Sequence, residues 1–188
     1  MSTIVDSIDD SISQRVRRER EARGWSLAEL AARSGVSRAM ISKVERGDAS
    51  PTASVLGRLS GAFGLTLSAL LARAEAQGKR VLRAAEQPIW RDPESGYVRR
   101  SLIAMPDVPL ELTQVELPPG ADIGFPCASY TFFIQAIWVI DGRLRFVEGD
   151  VEHELGTGDS IVLGTPNDCA FRNESRRPCR YLVAIVRR

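Results

Sequence analysis

The chain has 188 residues, 44% of them hydrophobic, with 25 Lys and Arg against 24 Asp and Glu and three cysteines. That length suits one large domain or two small ones, and no apolar run reaches the roughly 18 residues of a membrane span. Cys127, Cys169 and Cys179 fall at no ligand-like spacing, which excludes a disulfide scaffold and points to a reducing, cytoplasmic setting.

The acidic opening MSTIVDSIDDSIS lacks the basic-then-apolar order of a secretory leader, so residues 1–10 are expected to form a disordered arm. From Ile12 to Arg80 there are 13 basic and 6 acidic residues, a net of +7, whereas from Val81 onward 12 basic residues meet 15 acidic ones, a net of −3. The first part suits a polyanion. A solvated basic face is the plain alternative.

Helical periodicity runs through Ile12 and Val16, then Leu27, Leu30 and Ala31, then Val36, Met40, Ile41 and Val44, then Val55, Leu56, Leu59 and Phe63, then Leu67, Leu70 and Leu71. It predicts about five short helices across residues 11–73. SLAE is a capping box with Ser26 as N-cap and Glu29 three residues on, Ser37 is placed to cap the next helix, and Ser50 before Pro51 to open the fourth. Gly24, Gly35, Gly47 and Gly64 stand where helices should stop. Residues 74–87 are polar and weakly patterned, as a linker is. Over 88–188 short β-branched and aromatic runs (YVRRSLIA, LELTQVEL, FFIQAIWVI, LRFVE, SIVLG, RYLVAIV) alternate with turn chemistry, which predicts a β-sandwich or barrel.

A steep helix–turn–helix crossing needs a turn residue tolerant of positive φ and a small side chain at the contact, and Gly35 and Ala31 meet both needs. With Val36 and Ile41 in the core, Ser37, Arg38, Ala39, Ser42 and Lys43 lie on the opposite face, suited to a major groove. The amides of the helix that Ser26 caps favour a phosphate. The segments SISQRVRRERE, RGWSLAELAARSGVSRAMISKVERG, SPTASVLGRLSGAFGL and LSALL together resemble, in order, the five-helix lambda-repressor-like (Cro or XRE type) DNA-binding domain. The resemblance implies that Arg38, Ala39 and Lys43 read bases, that Ser26, Ser37, Ser42 and Arg46 contact phosphates or base edges, and that Arg20 and Glu45 pair internally. Leu27 stands where relatives often carry glutamine, which removes one polar contact. The implied partner is double-stranded DNA. Each base contact is worth roughly 1–3 kcal/mol, too little for one monomer to select a genomic site, so a homodimer on a palindromic operator is expected.

ELPPGADIG, IQAIWVIDGRLRFVEGDVEHELGTGDSIVLGTPNDCAFRNES and RYLVAIV resemble a cupin, a jelly-roll β-barrel. Many cupins hold a metal through a His-x-His pair, a glutamate and a further histidine. PCASYTFFIQ offers no histidine, Gln135 stands at the glutamate, Cys169 falls near the last ligand, and His153, the chain's one histidine, is expected on an exposed strand. Neither a metal nor another cofactor is expected, nor catalysis. The alternative is a cupin enzyme, a dioxygenase or isomerase, with a tethered DNA-binding head.

Cys127 and Cys169 as a redox or soft-metal pair stay open beside their plain role as small core residues. If Gln135 faces inward, so do Phe133, Ile137 and Val139, while Ile134, Ala136, Trp138 and Ile140 face out. An outer face so apolar needs cover, which makes it the expected dimer interface. Phe125, Tyr130, Phe133, Gln135, Cys169 and Phe171 are expected to line a ligand pocket, against the alternative of a filled core. The whole reads as a one-component transcription regulator that takes a small-molecule effector and does not engage a membrane.

Overall fold

A computed structural model describes residues 4–71, 81–104, 108–131 and 133–187, with side chains described except at 4–11, 104 and 187. Five helices come first: α1 (Ile4–Ala22), α2 (Leu27–Ser34), α3 (Arg38–Glu45), α4 (Ala53–Phe63) and α5 (Leu67–Leu71). Their apolar stripes close one core, in which Val16, Leu30, Ile41, Val44, Leu56 and Leu59 are fully buried. The Ser26–Glu29 capping box forms as expected, with Ser26 N–H donating to Glu29 Oε2 at 2.7 Å and Glu29 N–H to Ser26 Oγ at 3.2 Å. Gly35 turns the chain from α2 into α3 at φ 67°, a conformation that a side chain would strain.

Two expectations need correction. The helix α1 begins at Ile4, within the segment expected to be an arm; no glycine or proline interrupts Ile4–Ala22, so nothing stops a helix anchored by Ile12 and Val16 from running back. Residues 1–3, and 74–80 of the expected linker, lie outside the described residues. The cap of α4 is Thr52, whose hydroxyl accepts from Val55 N–H at 3.3 Å, and not Ser50. Pro51 disfavours helical backbone at Ser50, and the first free amide of α4, Ala53 N–H, donates to the buried carboxylate of Asp92 at 2.9 Å.

Ten strands follow: β1 (Ile89–Arg91), β2 (Val98–Ala104), β3 (Leu110–Leu117), β4 (Asp122–Phe125), β5 (Phe133–Asp141), β6 (Arg143–Glu148), β7 (Val151–Gly156), β8 (Ser160–Val162), β9 (Cys169–Arg172) and β10 (Cys179–Arg187). They form a six-stranded sheet in the order β1-β2-β3-β10-β5-β8 and a four-stranded sheet in the order β4-β9-β6-β7, every pairing antiparallel. This is the jelly-roll of a cupin. The alternation on β5 holds: Ile137 and Val139 are fully buried and Gln135 is 9% exposed, while Ile134 and Trp138 are 43% and 50% exposed. Phe171 joins the sheets, lying 5.0 Å from Phe146 and 5.8 Å from Tyr181 between ring centroids.

The helical domain rests on the open end of the barrel through α4 and α5. Helix α4 packs on β4 and on the 3-10 turn Cys127–Ser129, and α5 on β2. The approach of α4 depends on two glycines four residues apart, hence on one face. A Cβ on Gly57 would fall 2.5 Å from the Phe125 ring, and one on Gly61 3.1 Å from the backbone of Ala128. Hydrogen bonds stitch the seam: Ser129 Oγ donates to Gly57 O at 2.9 Å, Ser68 and Thr113 share one at 2.9 Å, and Thr66 Oγ1 donates to Glu111.

Alanine ordinarily stabilises a helix by about 1 kcal/mol relative to glycine, but overpacking costs about 1–3 kcal/mol. Gly57→Ala is therefore expected to lower the urea midpoint of the full chain, and Phe125→Leu added to it to restore part of the loss. A midpoint raised by Gly57→Ala alone would contradict the close seat.

Candidate DNA-reading face and interdomain cavity

Helix α3 packs chiefly on α1 and α2, with Ile41 and Val44 fully buried. Ser37 opens it, its hydroxyl accepting from Met40 N–H at 3.2 Å. Arg38, Ala39 and Lys43 are exposed, Ser42 is half-buried, and one helical turn brings all four onto a single stripe. Neither Arg38 nor Lys43 is held in an ion pair among the described residues. Arg46 is differently placed: its Nε donates to Asp48 Oδ2 at 2.7 Å and its Nη1 to Ser42 Oγ. That pair is open to solvent, and such pairs are worth at most about 1 kcal/mol, so a phosphate can take Arg46 from Asp48. Ser26 is exposed at the N-terminus of α2. Met40, which periodicity assigns to the core, is 36% exposed beside the reading stripe, and Leu27 is half-buried against the core.

The angle of α3 is fixed from behind. Arg20 of α1 donates from Nε and Nη2 to the two carboxylate oxygens of Glu45 at 2.7 and 2.8 Å, and from Nη1 to Trp25 O at 2.9 Å. This two-pronged pair, expected from the resemblance, lets a planar guanidinium set the rotation of α3 against α1.

Below α4 and α5 the barrel mouth holds a cavity with about 40 Å³ open to the centres of water molecules. Gly57, Ser60, Thr66 and Leu67 of the helical domain form its roof. Phe125, Tyr130, Gln135 and Phe171 line it. Phe133 and Cys169 do not. Phe133 sits half-buried at the start of β5, and Cys169 is buried with its thiol donating to Asn167 O at 3.4 Å. Tyr97, Arg99 and Tyr181 join the lining from β10 and from the stretch at the start of β2, and were missed because strands that curl around a barrel bring distant positions together. The roof was missed too, although Gly57 and Gly61 inside a helix were a signal of close approach.

The cavity carries no metal-type donor set. Among the described residues no three His, Cys, Asp or Glu side chains converge. His153 is half-buried, contrary to expectation, because its ring stacks on Phe146 across the β6–β7 ladder at 6.1 Å. Burial, and next the nearby Glu148 carboxylate, push the Cys169 thiol up to about 12, and burial takes Cys179 to about 11. Neither offers useful thiolate near neutrality, so Cys169 is a poor redox partner for exposed Cys127.

Residues 16–70 match the helix-turn-helix family model, and residues 113–185 the cupin-domain model. The chain thus joins a helix-turn-helix domain to a C-terminal cupin domain. This regulator is 24% identical over 171 residues to the HTH-type transcriptional regulator SutR of Escherichia coli, across 90% of this chain and 91% of SutR. An uncharacterised HTH-type regulator of Mycobacterium tuberculosis is 38% identical over 82 residues, 42% of this chain and 32% of its own. The crystal structure of an HTH_3 family regulator from Vibrio cholerae aligns with a TM-score of 0.80 at 21% identity, over 97% of this chain and 98% of that one, so the two-domain fold is shared.

Two outcomes follow for this regulator. Glu45→Ala strands Arg20 and is expected to lower stability by about 1.5–3 kcal/mol in urea titration, the range for hydrogen bonds to charged groups; no loss would show that the pair does not hold α3. Ellman's reagent is expected to label Cys127 quickly and Cys169 and Cys179 only on unfolding, and fast labelling of two or three thiols in native protein would contradict their burial.

Proposed function

We propose that this regulator binds double-stranded DNA as a homodimer, laying α3 in the major groove at each half of a palindromic operator, and that its barrel takes a small-molecule effector. The observation that carries the reading is the outward stripe of α3, where two cations free of ion pairs among the described residues, Arg38 and Lys43, flank Ala39 on a helix whose far side is core. Arginine and lysine suit guanine O6 and N7, and a small side chain admits a thymine methyl. Ser26, Ser37, Ser42 and Arg46 lie around that stripe, where the phosphates of a groove would pass.

The dimer is supported by the outer face of the six-stranded sheet. Leu110, Val186 and Ile134 stand in register across β3, β10 and β5, and Val162 on β8 pairs with Ala136. Leu110, Ile134, Trp138, Val162 and Val186 are 36–65% exposed. An apolar row of that extent is suited to meeting its own copy about a two-fold axis, which a palindromic site matches.

Regulation is favoured over cupin catalysis because Gln135 and Cys169 occupy the ligand-like positions and the lining contains no histidine or carboxylate. Among the described residues no helix is long and apolar enough to cross a membrane.

The test uses a duplex selected from a random pool and fluorescence anisotropy at fixed, modest salt. Arg38→Ala with Lys43→Ala is expected to reduce specific affinity at least tenfold, each base contact being worth about 1–3 kcal/mol, without lowering the melting temperature. Unchanged affinity would remove α3 as the reading helix. Ile134→Asp with Trp138→Asp is expected to give monomers in sedimentation equilibrium and to weaken operator binding, and persistent dimers would place the interface elsewhere.

A further inference from the structure

Among the described residues, Arg99 is the one charged side chain in the lining of the interdomain cavity, and it is 7% exposed. Its Nη1 donates to Tyr97 Oη at 2.8 Å and its Nη2 to Ser68 Oγ at 2.9 Å, both neutral groups, and its Nε has no partner among the described residues. A buried guanidinium keeps its charge. A cation so placed, with an orphaned donor, is stabilised by an anion brought to it.

The other lining groups narrow the class. One cation matches one negative charge, so a dianionic phosphate would leave a charge unmatched, whereas a single carboxylate balances the guanidinium. Phe125, Phe171 and Val183 give the cavity apolar walls, and Tyr130 and Gln135 add polar groups beside them. We propose that the cavity binds a small organic monocarboxylate, its carboxylate on Arg99 and its apolar end against Phe125, Phe171 and Val183, and that this ligand acts on DNA binding by displacing α4 and α5 from the barrel mouth.

Size supplies the coupling. A water molecule needs about 10–15 Å³ of such space, so 40 Å³ holds about three or four waters. A carboxylate with a short hydrocarbon tail exceeds that, and the roof it meets is Gly57, Ser60, Thr66 and Leu67 of the DNA-binding domain itself. The barrel walls are hydrogen-bonded sheet. The roof is held by a few seam contacts and is the part that gives. The control of operator binding rests on the reading of α3 proposed above, whereas occupancy of the cavity does not.

The probes are butyrate and 3-methylbutyrate, compared with their primary amides at equal ionic strength and read by melting temperature and by operator anisotropy. In the wild-type chain the carboxylates are expected to raise the melting temperature saturably and to change operator Kd by about 5- to 150-fold, the usual span of coupling between sites, while the amides do neither. Arg99→Gln is expected to abolish both effects and Arg99→Lys to keep part of them. Because Arg99→Gln also alters a buried cluster, Val183→Leu provides a second variant: it retains Arg99, narrows the cavity, and is expected to weaken the carboxylate effects without lowering the melting temperature. Equal effects from amides, or full effects in Arg99→Gln, would overturn the site. A thermal shift with unchanged operator Kd would overturn the route through the roof. A chain that binds no duplex yet shows an Arg99-dependent thermal shift would refute the DNA reading and leave the cavity assignment standing.

Discussion

Helix α4 comes close enough to the barrel to close its mouth because it presents no Cβ at Gly57 or Gly61. In a helix interior each glycine costs about 1 kcal/mol of propensity, a persistent penalty in an element that has no need to bend. What the penalty secures is proximity: the Phe125 ring lies where one side chain would begin, and the Cys127–Ser129 turn where the other would. From that seat follow the seam of hydrogen bonds, the enclosed cavity, and a defined orientation of the helical domain on the barrel. Asp92 reinforces it by accepting from the first amide of α4, where the helix dipole favours a carboxylate.

The reading helix is two contacts away from that seam. Helix α2 packs on α4, α3 packs on α2 and α1, and the Arg20–Glu45 pair locks α1 to α3. Arg23, just past the end of α1, closes the frame by donating to Phe63 O at the end of α4 at 2.7 Å. A head braced in this way moves as one body, so a shift of α4 at the barrel mouth becomes a change in the direction of α3. In the proposed dimer, joined through the outer faces of the six-stranded sheets, the same shift would alter how the two α3 helices span successive turns of a duplex, whose half-sites lie about 34–36 Å apart.

Much of this was legible in the sequence where local rules decide. Capping chemistry and the glycine stops marked the helices, and β-branched and aromatic runs between turn residues located β2, β3, β5, β6, β8 and β10. The strands β1, β4, β7 and β9 were not singled out because they are three to six residues long and lack such a run: β7 is VEHELG, with four of its six positions acidic, glycine or histidine. Four of six expected cavity residues line the cavity, and the two that do not, Phe133 and Cys169, show the limit of alternation as a guide: facing the interior does not mean facing its empty part. The roof and Arg99 were out of reach for a different reason. Contact between two domains is a property of their docking, and the local signals it leaves are a pair of glycines inside a helix and an arginine inside a strand.

If the reading head is a lid, locking it shut must silence the effector without preventing DNA binding. An ideal Cβ on Gly61 lies 3.3 Å from that of Ala128, close to the 3.5–4.5 Å of a disulfide, so Gly61→Cys with Ala128→Cys, in a chain carrying Cys127→Ser, provides the lock. The decisive measurement is the change in operator Kd on adding butyrate to this protein, oxidised and then reduced. The predicted result is operator binding that ignores butyrate while the disulfide is intact and responds once it is reduced; an undiminished response in the oxidised protein would contradict the lid.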